Sequence, residues 1–147
     1  MGKAVIRDSD PGFKNFRKTI NQGPNSVDIG VFSEQGGDLV TYASANEFGT
    51  EDGHIPERSF LRATVEERKA LFRRFIDKRK AEAMKGPAYR RKVLSELGQL
   101  AEGEIVAKIR RGPFTPNKPA TIARKGSSRP LIDLSRLVDS IISKVNE

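Results

Sequence analysis

The spacing of apolar and polar positions divides the chain into a short helix, a pair of strands, a long helical stretch and a closing segment. Asp10-Pro11 has the form of a helix start, with Asp10 as N-cap and Pro11 at the first helical position. Phe13, Phe16 and Ile20 then recur on one face until Gly23-Pro24 stops the run. Lys14, Arg17 and Lys18 take the remaining surface, so the pattern predicts a short amphipathic helix packed on a sheet. From Ser26 to Phe32 the period becomes two: Val27, Ile29 and Val31 alternate with Asp28 and Gly30, as in a half-buried strand. Gln35-Gly36-Gly37-Asp38 reads as a turn and Leu39–Ala43 as a second alternating run, which together predict a β-hairpin.

From Phe60 the period is helical. Leu61, Val65, Phe72, Phe75 and Ile76 fall near one face, and Arg and Lys crowd the others. Gly86-Pro87 punctuates the run. A second helix follows with Leu94, Leu97, Ala101, Ile105 and Ile109 as its buried stripe, Arg110 and Arg111 at its C-terminal dipole, and Gly112-Pro113 as its end. The short connection fits an antiparallel helical hairpin or one long broken helix. Gly112–Pro130 then holds four prolines, two glycines, four basic residues and no acid, the composition of an extended arm or loop. Beyond it Leu131–Leu137 resumes apolar periodicity, with Asp133 or Ser135 placed to cap a short helix and Ile141–Val145 to return as a closing strand.

Between the strand-like and helical regions lies Asn46–Arg62, around which the rest is arranged. Gly49 admits backbone angles closed to other residues, and Pro56 fixes its own φ and extends Ile55. Phe48 and Phe60 flank the turn, so the expected picture is two aromatic plugs with a polar loop between them.

At 147 residues the chain has the length of a single domain, 1–147. Its 36% hydrophobic and 31% charged residues describe a modest core under a wet surface, and neither a membrane span nor a signal peptide is expected. The absence of cysteine excludes disulfides, thiolate zinc sites and cysteine nucleophiles. The net charge of +8, from 27 basic and 19 acidic residues, raises nucleic acid as a partner. The helical hairpin 60–111 would then be the contact surface, with Arg73, Arg74, Lys78, Arg79, Arg90 and Arg91 facing DNA. Glu66, Glu67, Asp77 and Glu82 are interleaved there, however, which is the pattern of an ordinary solvated face, and only Tyr89 is near enough to stack on a base.

Candidate chemistry is sparse. His54 is the only histidine; with Glu47, Glu51, Asp52 and Glu57 a metal site can be drawn, but one histidine among turn carboxylates reads better as a solvated acidic turn. Lys125-Gly126-Ser127-Ser128 lacks the first glycine of a phosphate loop and has its lysine on the wrong side of Gly126. No nucleophile–base sequence or dinucleotide fingerprint stands out, so no catalytic residue and no cofactor is expected.

Three segments taken together carry a resemblance: Ala43-Ser44-Ala45-Asn46-Glu47-Phe48-Gly49-Thr50, Ile55-Pro56-Glu57-Arg58-Ser59-Phe60-Leu61-Arg62, and the stretch from Pro119 to Asp133. In this order and spacing the chain resembles the neck and tail-completion proteins of tailed bacteriophages, over roughly Ala43 to Val145. Two positions depart from that group: Asn46 stands where it often has histidine, and Asp133-Leu134-Ser135 where it has Asp-Thr-Gly. The resemblance implies an α+β subunit with a small antiparallel sheet packed against two long helices and an extended proline-rich arm at 112–130. It also implies a homo-oligomeric ring, six-fold in the virion, that joins other tail and head-connector proteins around a channel for DNA. Localisation would be the virion, and the host cytoplasm during assembly. The interface residues expected on this reading are Glu47, Phe48, Gly49, Pro56, Arg58 and Phe60 from the turn, Pro119, Thr121, Arg124 and Lys125 from the arm, and Asp133 beyond it. No covalent chemistry is required of them.

Overall fold

The structure, a computed structural model, describes residues 11–126 and 136–146. Its order is α1 (Pro11–Asn21), β1 (Ser26–Gly30), a single 3-10 turn (Ser33–Gln35), α2 (Gly37–Phe48), α3 (Leu61–Ala83), α4 (Pro87–Arg111), α5 (Pro119–Lys125), α6 (Arg136–Asp139) and β2 (Ile142–Asn146). The fold is α+β, with a two-stranded antiparallel sheet and two long helices, as expected.

α3 and α4 are antiparallel neighbours joined by Met84–Gly86, and the ion pairs between them step in opposite directions along the two helices. Glu67 meets Lys108, Arg68 meets Glu104, Arg79 meets Glu96 and Glu82 meets Lys92. α3 has few apolar residues to offer this seam. Its fully buried member is Thr64, whose hydroxyl donates to the Phe60 carbonyl at 2.6 Å, while Val65 and Ile76, expected on the apolar face, are nearly half exposed. α4 buries Val93, Gly98, Ala101, Ile105 and Ile109; Leu94 and Leu97 are only half-buried, so the stripe begins about a third of a turn from its expected line.

The sheet packs on α4. A Cβ at Gly98 would lie 2.7 Å from the Ser143 Cβ and 3.1 Å from Val27 Cγ2, so the missing side chain is what lets both strands approach the helix. The pairing is Ser26 with Asn146 through Gly30 with Ile142, which joins the segment after α1 to the last element described. The expected closing strand is therefore present.

The expected β-hairpin is not. Leu39–Ala43 belongs to α2, and β1 takes β2 as its partner. The buried positions of α2 are Leu39, Ala43, Asn46 and Glu47, a helical spacing whose last members are polar. A stripe that ends in Asn and Glu does not register as apolar, and the short run Leu39–Ala43 then imitates alternation.

Two further expectations change. The apolar face of α1 is not covered by the sheet: Phe13 is 49% exposed, Phe16 40% and Ile20 41%. The proline-rich stretch is interrupted by α5, which starts with Pro119 in its first turn and ends at Gly126 in the left-handed region; residues 113–118 carry no regular structure. The caps assigned to Asp10, Asp133 and Ser135 lie outside the described residues. The core gathers Ala43, Phe60, Ile105, Ile109, Leu137, Val138 and Ile141, with Ile29, Tyr42 and Phe114 packed against it. No helix among the described residues is long and apolar enough to cross a membrane.

Candidate functional site

The site grows from a deficiency in α3. Its N-cap is Phe60, which has no side-chain acceptor, and its first turn contains no acid; Ser59 Oγ accepts from the Ala63 amide (3.2 Å), but the amides of Phe60, Leu61 and Arg62 have no local partner. Glu47, at the end of α2, supplies one. Its carboxylate accepts from Ser59 Oγ (2.8 Å), the amides of Phe60 (2.8 Å), Leu61 (2.9 Å) and Arg62 (3.0 Å), and Arg62 Nε (3.1 Å). A negative charge on the positive end of a 23-residue helix is also favoured by the helix dipole. Burial acts to raise the Glu47 carboxyl, but the hydrogen bonds from Leu61, Arg62, Ser59 and Phe60 outweigh it and hold the group below the ordinary glutamate range.

Arg58 makes the second half of the lock. It is 7% exposed, and its guanidinium donates to Asn46 Oδ1 (3.0 Å), the Thr115 carbonyl (2.9 Å), the Pro116 carbonyl (3.4 Å) and Asn117 Oδ1 (3.1 Å). The planar fork thus ties the end of α2 to the segment leaving α4. Burial draws the Arg58 pKa down, with Tyr42 acting in the opposite sense; an arginine remains charged even so. Asn46 is fixed in turn by donating to the Tyr42 carbonyl, and its own carbonyl accepts from the Arg58 amide at 2.7 Å.

The loop between them is held by short-range bonds. Thr50 and Ile55 are joined by the Thr50 amide to the Ile55 carbonyl and by the Ile55 amide to Thr50 Oγ1, both at 3.0 Å. Asp52 accepts from Thr50 Oγ1 and from the His54 amide. Gly49 has φ +74° and ψ −179°, and a Cβ there would lie 3.0 Å from the Glu57 amide nitrogen, so the chain can turn here only at glycine.

The expected turn residues are thus brought together, in unequal roles. Glu47, Arg58 and Phe60 are buried, Gly49 and Pro56 shape the backbone, and Phe48 is 62% exposed with the Arg62 guanidinium 4.5 Å from its ring centroid. Of the two aromatic plugs, only Phe60 is one. From the arm, Pro119 and Thr121 lie in the first turn of α5, exposed and half-buried respectively, and Arg124 and Lys125 end that helix; Asp133 lies outside the described residues. The residues expected to face DNA divide as well. Arg73, Arg74 and Lys78 are exposed on α3 and Arg91 on α4. Arg79 pairs with Glu82 and Glu96, and Arg90 donates to the carbonyls of Thr19, Ile20 and Gln22, closing the end of α1.

Sequence reasoning missed Asn46, Ser59, Arg62, Thr115 and Asn117. A usable signal existed for Ser59 and Arg62: a helix opening on Phe60-Leu61 without its own acidic cap requires an acceptor from elsewhere, and Glu47 before Gly49 supplies it to both. Nothing in sequence marks Asn46, Thr115 or Asn117, the acceptors of Arg58. Chemically, a carboxylate held below its ordinary range is a weak base, so the Ser59–Glu47 contact is a helix cap and a poor nucleophile–base pair. His54 is exposed in the loop, and among the described residues no group of three or more His, Cys, Asp or Glu is placed to hold a metal ion. No protein-family model matches the chain, and no curated protein or solved structure does.

Proposed function

We propose that the chain is a structural subunit of a tailed-phage or prophage virion, of the neck and tail-completion kind, which acts by shape as one unit of a ring and carries out no reaction. Its partners on this reading are copies of itself and adjoining head and tail proteins, with non-specific contact to DNA passing through the ring. The observation that carries the proposal is the use made of Glu47 and Arg58. These are the two buried residues among the four charged ones, Glu47, Glu57, Arg58 and Arg62, in the turn segments that resemble that group, and both are committed to holding α2, α3 and the arm's root in one arrangement. A subunit that must present fixed surfaces to its neighbours needs such a lock, and a rotation between identical copies then closes into a cyclic assembly.

Sedimentation velocity and negative-stain microscopy of the full chain test this reading, with closed rings or concentration-dependent multimers as the expected result. A monomer at every concentration, binding duplex DNA with a steep dependence on salt, would replace it with the nucleic-acid reading of the hairpin 60–111.

A further inference from the structure

We propose that the contact between copies is head-to-tail, with α1 of one copy seated on the Phe48 turn of the next. This rests on the ring reading and adds which two faces meet. Phe13, Phe16 and Ile20 lie within about 60° of one another around α1, at 100° per residue, and all three are exposed. Arg17, Lys14 and Lys18 border them on one side, and the helix contains no acid. An apolar stripe whose only bordering charge is positive calls for an apolar surface bordered by negative charge.

The chain has one such surface among the described residues. Tyr89 and Met84 adjoin Lys85, whose ammonium is 5.7 Å from the Tyr89 ring centroid, and Val65 and Ile76 lie on α3 where Glu66 pairs with Lys69 and Asp77 with Lys80, so the charge there is mixed and already paired. Phe48 instead opens a turn whose exposed charged residues are the acids Glu51, Asp52 and Glu57, and the one cation at its ring, Arg62 at 4.5 Å from the centroid, is itself paired with Glu57 and with Glu47.

The two faces cannot meet within one copy. Arg90 fastens the end of α1 beside the start of α4, whereas Phe48 lies at the start of α3. Those points are at opposite ends of the helical hairpin, whose 23-residue α3 spans roughly 35 Å at 1.5 Å per residue. Complementary faces at opposite ends of one subunit give a heterologous contact, which propagates from copy to copy.

The chain contains no cysteine, which makes cross-linking free of background. The double variant Arg17→Cys/Glu51→Cys, treated with a short bismaleimide, is expected to give a ladder of covalent multimers. Arg17→Cys or Glu51→Cys alone should give none, and an equal mixture of the two should stop at dimers. In parallel, Phe16→Glu, on an exposed face, should weaken association at least about tenfold, as loss of an aromatic anchor does, with an unchanged melting curve. Rings that persist in Phe16→Glu, with no ladder from the double variant, would overturn this pairing of faces while leaving the ring reading intact. Wild-type chain that stays monomeric would overturn both. Intact rings whose α1 variants lose only binding to anionic vesicles would assign α1 to a lipid surface and also overturn the contact.

Discussion

Replacing Glu47 by glutamine alters its volume little and tests whether the carboxylate is the cap of α3. Its Oε1 accepts from Ser59 Oγ, the Arg62 amide and Arg62 Nε, and its Oε2 from the amides of Phe60 and Leu61. A glutamine turns one of these oxygens into a donor facing donors. In its better orientation it loses the Phe60 and Leu61 bonds and the charge on the remaining three. Hydrogen bonds to a charged group contribute about 1.5–3 kcal/mol each, so Glu47→Gln should cost about 3–5 kcal/mol. Glu47→Ala should cost a similar amount. For a chain whose total stability is on the order of 5–15 kcal/mol, the urea midpoint should fall by about 2 M.

The pH dependence has a definite sign. Because the folded pKa of Glu47 is depressed, its contribution is complete above the unfolded glutamate value of about 4.3 and is lost as pH falls through the lower folded value. The gap between wild type and Glu47→Gln should therefore be constant near neutrality and narrow in acid. Urea unfolding of both proteins across that range measures it. A loss below about 1 kcal/mol at neutral pH, or a gap that widens in acid, would refute the capping argument.

Three further outcomes follow from the same geometry. Arg58→Lys keeps the charge but not the fork, so hydrogen exchange by mass spectrometry should show faster exchange over 113–118 with α4 unaffected, and a stability loss of about 2–3 kcal/mol; unchanged exchange there would contradict the clamp. Gly49→Ala should destabilise by roughly 2–3 kcal/mol in a thermal or urea melt, because its φ and ψ are nearly closed to a residue with a Cβ and the Glu57 amide is in the way. Gly98→Ala should destabilise by about 1–3 kcal/mol although alanine is the better helix former, since the new methyl meets Ser143 and Val27; a stabilised variant would show that the strands can give way.

What sequence alone determined is what depends on neighbours along the chain. The ends of α4 at Gly86-Pro87 and Gly112-Pro113, the periodicity of Ala101, Ile105 and Ile109, the first strand and the turn at Gly49 all follow from local backbone and side-chain preference. The tertiary structure decided what depends on partners brought from afar. α2 was disguised because its buried face ends in Asn46 and Glu47, which are tolerable there only when Arg58 and the α3 amides arrive to satisfy them. The partner of β1 is the last strand of the chain, a pairing no adjacent turn announces. The exposure of α1 likewise reflects what the rest of the molecule leaves uncovered, since an amphipathic pattern states that a face is apolar but not what covers it.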